Sequence, residues 1–362
     1  MKKVAIDVRM LHHSGIGRYI RDVVPALVGE MPNVYFYLIG PQNTHDEFFG
    51  HSSGNFEIIN CGSPIYSVAE QISLKRKIPR DVDVFWSPHY NIPVFYCGKL
   101  LVTVHDVFHL AMSDMLPLHQ KIYSRLMFNA LKNKADAVIS VSSFSKEELI
   151  RFTDIPGDKI QVVHNGLRSF WLSQEKSKNP PAKPYLLYVG NVKPHKNIKR
   201  LLQAFKKIAQ DFAQDLVIVG KKSGFITGES NLAQEYSGLE DRVHFTGLIT
   251  DEELKYYYQN STLFVFPSTY EGFGFPPLEA MASGAPVLAA GIGAVKEVCG
   301  DAVLYCDPYD ADDISEKIQF MLKNTAARNQ FVVEGWMKAQ KYTREKCVHE
   351  TRRVLERMLV LN

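Results

Sequence analysis

The feature that most constrains this chain is a rhythm. Short apolar runs rich in valine, isoleucine, leucine and aromatic residues recur along its length, separated by longer segments with helical spacing. In the first half the runs are VAIDV (Val4 to Val8), VYFYLIG, FEIIN, VDVFWSP, LLVTVHD, AVISVS and IQVVHNG; in the second they are YLLYVG, DLVIVG, RVHFTG, LFVFPS, APVLAA and AVLYC. Such runs read as buried strands, and intervening stretches such as MLPLHQKIYSRLMFNALKN and NIKRLLQAFKKIAQ read as helices. Strands alternating with helices build parallel, doubly wound sheets. A polar, proline-rich stretch without periodicity, SQEKSKNPPAKP (Ser173 to Pro184), parts the two series and predicts a linker. With 362 residues, 46% of them hydrophobic, the chain can bury two ordinary cores. The expected fold class is therefore α/β, two tandem Rossmann-like doubly wound domains facing across a cleft. Residues 1–172 form the first, 173–184 the linker and 185–340 the second, with an amphipathic closing helix over 341–362 that is free to pack back on the first.

Charge and cysteine usage narrow the function. A formal net charge of +3, from 42 basic and 39 acidic residues evenly interleaved, argues against nucleic acid as a partner. The five cysteines (Cys61, Cys97, Cys299, Cys306, Cys347) are odd in number and form no metal-ligand spacing, so reduced thiols in a cytoplasmic compartment are expected. The opening MKKVAIDVRM has an apolar run broken by Asp7 and Arg9 and does not read as a signal peptide. No apolar stretch reaches the roughly 18 residues of a membrane span.

The chemistry concentrates in EGFGFPPLE, Glu271 to Glu279. It follows the strand-like LFVFPS and opens a helix at Pro276 and Pro277 that closes at Gly284, so two carboxylates bracket a glycine-rich turn at a helix start. The backbone N–H groups of Gly272, Phe273 and Gly274 then face an environment that favours anionic or hydroxyl-rich ligands. A helix-dipole role for Glu279 and a solvated loop role for Glu271 are equally open from this stretch alone. Near the amino terminus, SGIGRY places Gly15, Gly17 and Arg18 at a strand-to-helix loop; without a full G-x-G-x-x-G fingerprint, the two glycines alone read as a tight turn. GNVKPHKN carries Lys193, His195 and Lys196 to a helix start, where a lysine can neutralise a diphosphate; Lys196 suits this, and Lys193 reads as a solvated lysine. Asp81 and Asp83 in RDVDVFW imitate a D-x-D metal motif, but they open a buried strand and have no further carboxylates to complete an oxygen cage. No metal site is expected.

Assembled in order, SGIGRY, VHD at His105, HNG at Asn165, the G-x5-K loop ending at Lys196 and the E-x7-E pair Glu271 and Glu279 resemble the retaining GT-B sugar-nucleotide glycosyltransferases of glycosyltransferase family 4. The resemblance covers nearly the whole chain, and within the family the first half is most similar to bacterial enzymes that add mannose or related sugars to surface polysaccharides. It implies that Glu271 holds hydroxyls of the donor sugar, that Gly272, Phe273 and Gly274 contact sugar and phosphate, and that Glu279 accepts hydrogen bonds from the ribose. It further implies that Lys196 faces the diphosphate, that His105 lies beside donor sugar and acceptor, and that Gly17 lets the first loop touch the diphosphate. Gly190 corresponds to a family glycine that an arginine often follows; here Asn191 stands there, so Lys193 or His195 would have to replace that cation.

The implied activity is metal-independent, retaining transfer of a sugar, mannose from GDP-mannose being the best match, to a growing cell-surface polysaccharide or lipid-linked glycan. No cofactor beyond the nucleotide-sugar substrate is expected. A basic, amphipathic segment, Pro117 to Lys134, with Lys121, Arg125, Lys132 and Lys134 beside Ile122, Leu126, Met127 and Leu131, suits peripheral contact with an anionic membrane; a helix packing that stripe into its own domain is the competing reading. Other readings of the whole chain remain open from sequence: a non-catalytic nucleotide-sugar-binding protein, and a GT-B phosphorylase or epimerase.

Overall fold

The computed structural model describes residues 1–13, 15–44, 48–49, 54–173, 181–220 and 232–360. Contacts divide the chain into two compact units, Met1–Gly166 together with Arg344–Asn362, and Leu167–Thr343. Each is built on a parallel sheet.

In the first unit the strands are β1 (Lys2–Asp7), β2 (Val34–Gly40), β3 (Phe56–Asn60), β4 (Val84–Ser87), β5 (Leu100–Val104), β6 (Ala137–Ser140) and β7 (Ile160–Val162). They pair in the order β3-β2-β1-β4-β5-β6-β7. Every residue of β4 and β5 is buried, as expected of central strands covered by helices on both faces. The edge strand β3 is only partly covered.

The closing helix, Arg344–Val360, belongs to this unit: Cys347, Val348, Val354, Leu355, Met358 and Leu359 share one core with Ile20, Val23, Val24 and Leu27 of the helix Ile16–Glu30. Burial of each such aliphatic side chain contributes about 1.5–3 kcal/mol, which is what fastens a helix more than 170 positions away in sequence from its own sheet's last strand.

In the second unit the strands are β8 (Tyr185–Val189), β9 (Asp215–Val219), β10 (Val243–Gly247), β11 (Leu263–Phe266), β12 (Val287–Ala290) and β13 (Leu304–Cys306), ordered β10-β9-β8-β11-β12-β13. The helix Ile198–Ile208 buries Ile198, Leu201, Leu202, Phe205 and Ile208, an i, i+3, i+4, i+7 stripe laid on this sheet's core.

The division falls earlier in the sequence than the polar stretch suggested, at Gly166 and Leu167 rather than at Ser173, and residues 174–180 of that stretch lie outside the described residues. Leu167 is fully buried and donates its N–H to the Tyr342 carbonyl at 2.9 Å, while Trp171, also fully buried, meets the Tyr258 ring edge-on at 6.1 Å. Those bonds carry residues 167–172 into the second unit.

In both sheets the strand order reverses once, between β1 and β4 and between β8 and β11. Crevices at the carboxyl ends of such strand pairs are where open α/β sheets bind ligands. The loops after β8 and β11 carry most of the residues singled out above.

Candidate active site

Beyond β8 the chain passes Gly190 and half-buried Asn191 into the short turn Pro194–Lys196; beyond β11 it passes from Pro267 to Gly274 into the helix Phe275–Ala282. The two loops are stapled together at successive residues. Thr269 donates its backbone N–H and its hydroxyl to the His195 carbonyl, at 2.8 and 3.2 Å. Asn197 donates its amide to the carbonyls of Pro267, at 3.0 Å, and Pro308, at 2.6 Å. Between these ties the Lys196 ammonium reaches the Glu271 carboxylate at 2.6 Å, with side-chain exposures of 20% and 13%. A charge pair this sheltered interacts more strongly than one in water, yet solvent and ligand can still reach it.

Asn197 holds a φ of 60°, the left-handed region that asparagine tolerates better than most side chains. Its amide is thereby tied to the Pro267 and Pro308 carbonyls, directly after the residue that carries the ammonium.

The helix Phe275–Ala282 opens at Gly274, whose φ of 111° demands glycine. Pro276 and Pro277 fall in its first turn and bring no N–H. Besides Phe275, the donors at this helix mouth therefore come from the turn before it, Gly272, Phe273 and Gly274, all buried.

Glu279, 3% exposed, accepts a hydrogen bond from the Tyr258 hydroxyl at 3.0 Å. Tyr188, on β8, lies beneath the site: burial, and then the nearby Glu271 carboxylate, hold its phenol well above the ordinary range, so it stays protonated. Lys193 is exposed, and His195 is half-buried with its carbonyl taken by Thr269.

His105, Gly15 and Gly17 belong to the first unit. His105 follows β5, and its Nε2 lies 3.0 Å from the Pro88 carbonyl, with the Tyr19 ring edge-on at 5.0 Å. A carbonyl only accepts, so Nε2 carries the proton and Nδ1 is left as an acceptor. Burial pushes its pKa down to about 4, which keeps the ring neutral.

Gly15 caps the helix Ile16–Glu30, and a side chain at Gly17 would put its Cβ 2.2 Å from the Leu11 carbonyl oxygen, so only glycine lets the helix close on the preceding loop. Arg18 pairs with Asp22 at 3.6 Å. Asp81 and Asp83 are engaged by lysines: Asp81 by Lys3, and Asp83 by Lys2 at 3.0 Å and by the Lys3 backbone N–H at 2.8 Å.

The sequence reading thus named Lys196 and Glu271 but not Asn197, Thr269, Tyr188 or Tyr258, which fix or line them. The one local signal was the asparagine directly after Lys196, a residue type at ease at positive φ.

Two α/β units with parallel sheets, each reversing its strand order once, are the architecture of GT-B glycosyltransferases. Comparison with solved structures gives the same fold: sucrose-phosphate synthase from Thermosynechococcus elongatus superposes with a TM-score of 0.79 at 19% identity, covering 99% of each chain. Anabaena Alr3699/HepE, solved in complex with UDP and glucose, superposes at 0.77 and 19% identity, covering 98% of this chain and all of that one.

Residues 13–168 match the family model for Glycosyltransferase Family 4, and residues 169–335 that for Glycosyl transferases group 1. The chain belongs to this glycosyltransferase family. O-antigen chain mannosyltransferase B of Escherichia coli is 29% identical over 279 residues, 74% of this chain and 72% of that protein.

Proposed function

We propose that the protein transfers mannose, with GDP-mannose as the donor, to a growing cell-surface polysaccharide or a lipid-linked glycan, with retention of anomeric configuration and without a metal ion. The observation that carries this reading is the Lys196–Glu271 pair, held by stapled loops at the β8/β11 crossover. The mannosyltransferase relative supports the sugar, and the HepE complex with UDP and glucose supports a nucleotide-bound sugar as donor.

In this reading Glu271 exchanges its contact with Lys196 for hydroxyls of the donor sugar, releasing the ammonium toward the diphosphate. As the sugar–phosphate bond breaks, negative charge grows on the leaving diphosphate, and Lys196 with the N–H groups of Gly272, Phe273 and Gly274 stabilises it. The leaving phosphate takes the acceptor's proton on the same face, so no carboxylate need act as nucleophile. Asn191 leaves the second phosphate without the cation that many family members place there, and His195 is the better placed substitute, since Lys193 points into solvent.

Glu279 holds the ribose, with Tyr258 setting its orientation. His105, neutral and with Nδ1 as an acceptor, receives a hydrogen bond from a sugar hydroxyl. A thermal-shift panel of GDP, UDP and ADP and their sugar conjugates tests the donor: GDP-mannose should raise Tm most, by mass action. A larger shift with a UDP-sugar would replace the donor assignment.

A lipid-linked acceptor also places the protein on the cytoplasmic membrane surface. The face that supports this is the outer side of the helix Leu118–Lys134, where Leu118, Ile122 and Leu126 are 71%, 51% and 59% exposed beside exposed Arg125. Only part of the predicted stripe points outward, since Met127 and Leu131 are core residues. Among the described residues no helix is long and apolar enough to cross a membrane. Flotation with anionic liposomes at low and high salt is the test; protein that stays at the bottom of the gradient at both removes the membrane from this reading.

A further inference from the structure

The crossover in the first unit, between β1 and β4, holds a cluster that none of the residues discussed above explains. Arg9, two residues past β1, has a side chain only 4% exposed. Asp7 grips it in bidentate fashion, accepting from Nε at 2.8 Å and from Nη2 at 2.6 Å, and Glu70 accepts from Nη2 at 2.6 Å.

Glu70 is fully buried and reaches inward from the helix Val68–Lys77. Its remaining acceptor positions are filled by the Asn91 amide, at 2.8 Å to each oxygen, and by the Tyr66 N–H at 2.7 Å. Asn91 in turn receives the Tyr123 hydroxyl and donates its N–H to His89 Nδ1 at 3.0 Å. Among the described residues the network leaves one buried donor without an acceptor. Arg9 Nη1 is buried and has no hydrogen-bond partner among the described residues. The Arg9 side chain lines a recess with Asp7, Glu70, His89 and Asn91 as its polar wall and Met10, Ile20 and Ile65 as its apolar wall, with room for about one water-sized group.

An unpartnered guanidinium N–H in such a place carries the desolvation cost of a charged donor left without an acceptor. A ligand oxygen relieves that cost. Which ligand is settled by charge and shape. Two carboxylates against one guanidinium leave the recess with a net negative charge, and burial, with neighbouring imidazoles and Arg9, keeps His89 well below its ordinary pKa and therefore neutral. An anion is disfavoured there, and a cation brings no acceptor for the Arg9 N–H.

A neutral hydroxyl fits both limits, accepting from Nη1 while its own proton meets a carboxylate. Bonded to two of the lining residues, Tyr66 sits at a φ of 65°, a left-handed conformation uncommon for a bulky residue, pinned by its N–H to Glu70 and by its hydroxyl to His89 Nε2 at 3.0 Å. The residue is 43% exposed, and its ring packs with His89, Tyr123 and Tyr90 at 5.6, 5.9 and 6.5 Å. A tyrosine pinned in this way and partly exposed can serve as a platform for the apolar face of a sugar ring.

We propose that this recess and the Tyr66 ring form a subsite for one neutral sugar residue of the acceptor glycan, a hydroxyl entering the recess to accept from Arg9 Nη1 while the ring stacks on Tyr66. It rests on the transferase reading above and names the part of the acceptor recognised by the first unit. Arg9→Ala would strand two buried carboxylates and weaken the fold itself, so the subsite is tested at its edges.

Tyr66→Ala removes the platform, and Ile65→Phe fills the recess without touching the charged network. Saturation-transfer NMR on the full chain, with methyl α-mannoside, methyl α-glucoside and methyl α-galactoside as probes, should show transfer to at least one in the unmodified protein. Tyr66→Ala should weaken its apparent affinity about tenfold, and Ile65→Phe should abolish it. Silence with all three glycosides, undiminished transfer in both variants, or displacement of a bound glycoside by inorganic phosphate would each overturn the subsite. The first of these would leave an ordered water as the occupant. Nucleotide-induced thermal stabilisation of the same preparation reads the donor side separately. Glycoside silence with that stabilisation intact sinks the subsite alone, whereas loss of both sinks the transferase reading as well.

Discussion

Between β1 and β4 and between β8 and β11 the two sheets reverse at topologically equivalent places, and the sequence fills the two crevices with opposite chemistry. In the first unit the charges are sealed: Arg9 and Glu70 are locked by partners on almost every polar atom. In the second, Lys196 and Glu271 meet each other at a site that solvent can reach, with the order supplied from behind by Asn197 and Thr269. The contrast teaches how one topology serves two tasks. A sealed network specifies a shape and admits one neutral group; a half-open pair, positioned by neighbours that never touch ligand, can trade its internal contact for contacts to substrate as charge develops.

Breaking the sealed network should be the costliest change. Arg9→Ala leaves Asp7 and Glu70 uncompensated, with a stability loss of about 3–5 kcal/mol by chemical denaturation. A loss under about 1 kcal/mol would mean the crevice is wet and open like its counterpart. In the second unit the order of effects should invert, with little stability lost and much activity. Glu271→Ala should lower turnover roughly 10²-fold or more while Tm changes little. Near-normal turnover would remove Glu271 from the chemistry.

Asn197→Ala should do some of both, since two buried carbonyls lose their donor and the left-handed φ becomes unfavourable, together about 2 kcal/mol. If Lys196 depends on this tie, turnover falls and Asn197→Gly restores none of it; full activity in Asn197→Ala shows that the lysine finds its place alone. Tyr258→Phe should raise the donor KM by severalfold with kcat nearly unchanged, because an uncharged hydrogen bond of about 1 kcal/mol orients Glu279 in ground and transition states alike. An unaltered donor KM would mean Glu279 needs no such orienting.

Proton linkage separates the units further. His89 and His105, both in the first, are held neutral by burial, His105 with a pKa of about 4 and His89 well below 6.5. Once unfolded, both titrate near about 6.5. Between these limits the unfolded chain binds protons that the folded chain refuses, so stability is full above about pH 6.5 and falls as pH drops toward 4. Tm measured from pH 7.5 to 5 should decline, less steeply in His105→Gln; a flat profile would show that neither ring is buried in solution. The smallest effect expected is that of EDTA, which should leave transfer unchanged if Lys196 and the loop N–H groups carry the leaving charge. Loss of activity in chelator, restored by magnesium or manganese, would return a metal to the mechanism.

Much of this was fixed by the sequence alone. Parallel strands covered on both faces must be apolar along their whole length, so strands such as β4, β5, β11 and β12 announce themselves as runs, and the helix Asp251–Asn260 follows from its own capping box, Thr250 with Glu253. Glu271, Gly274 and Lys196 were legible for the same reason, since turn chemistry and helix starts are written in neighbouring residues.

What only the tertiary structure decided lies between residues far apart in the chain. Arg9 meets Glu70 across 61 positions and Lys196 meets Glu271 across 75, pairings that depend on strand order and carry no local signature. Residues 167–172 looked like the end of the first unit until the bond from Leu167 to Tyr342 and the packing of Trp171 on Tyr258 drew them into the second. Local propensity is a property of adjacent residues, whereas a buried charge can be placed only where the whole fold has already supplied its partners.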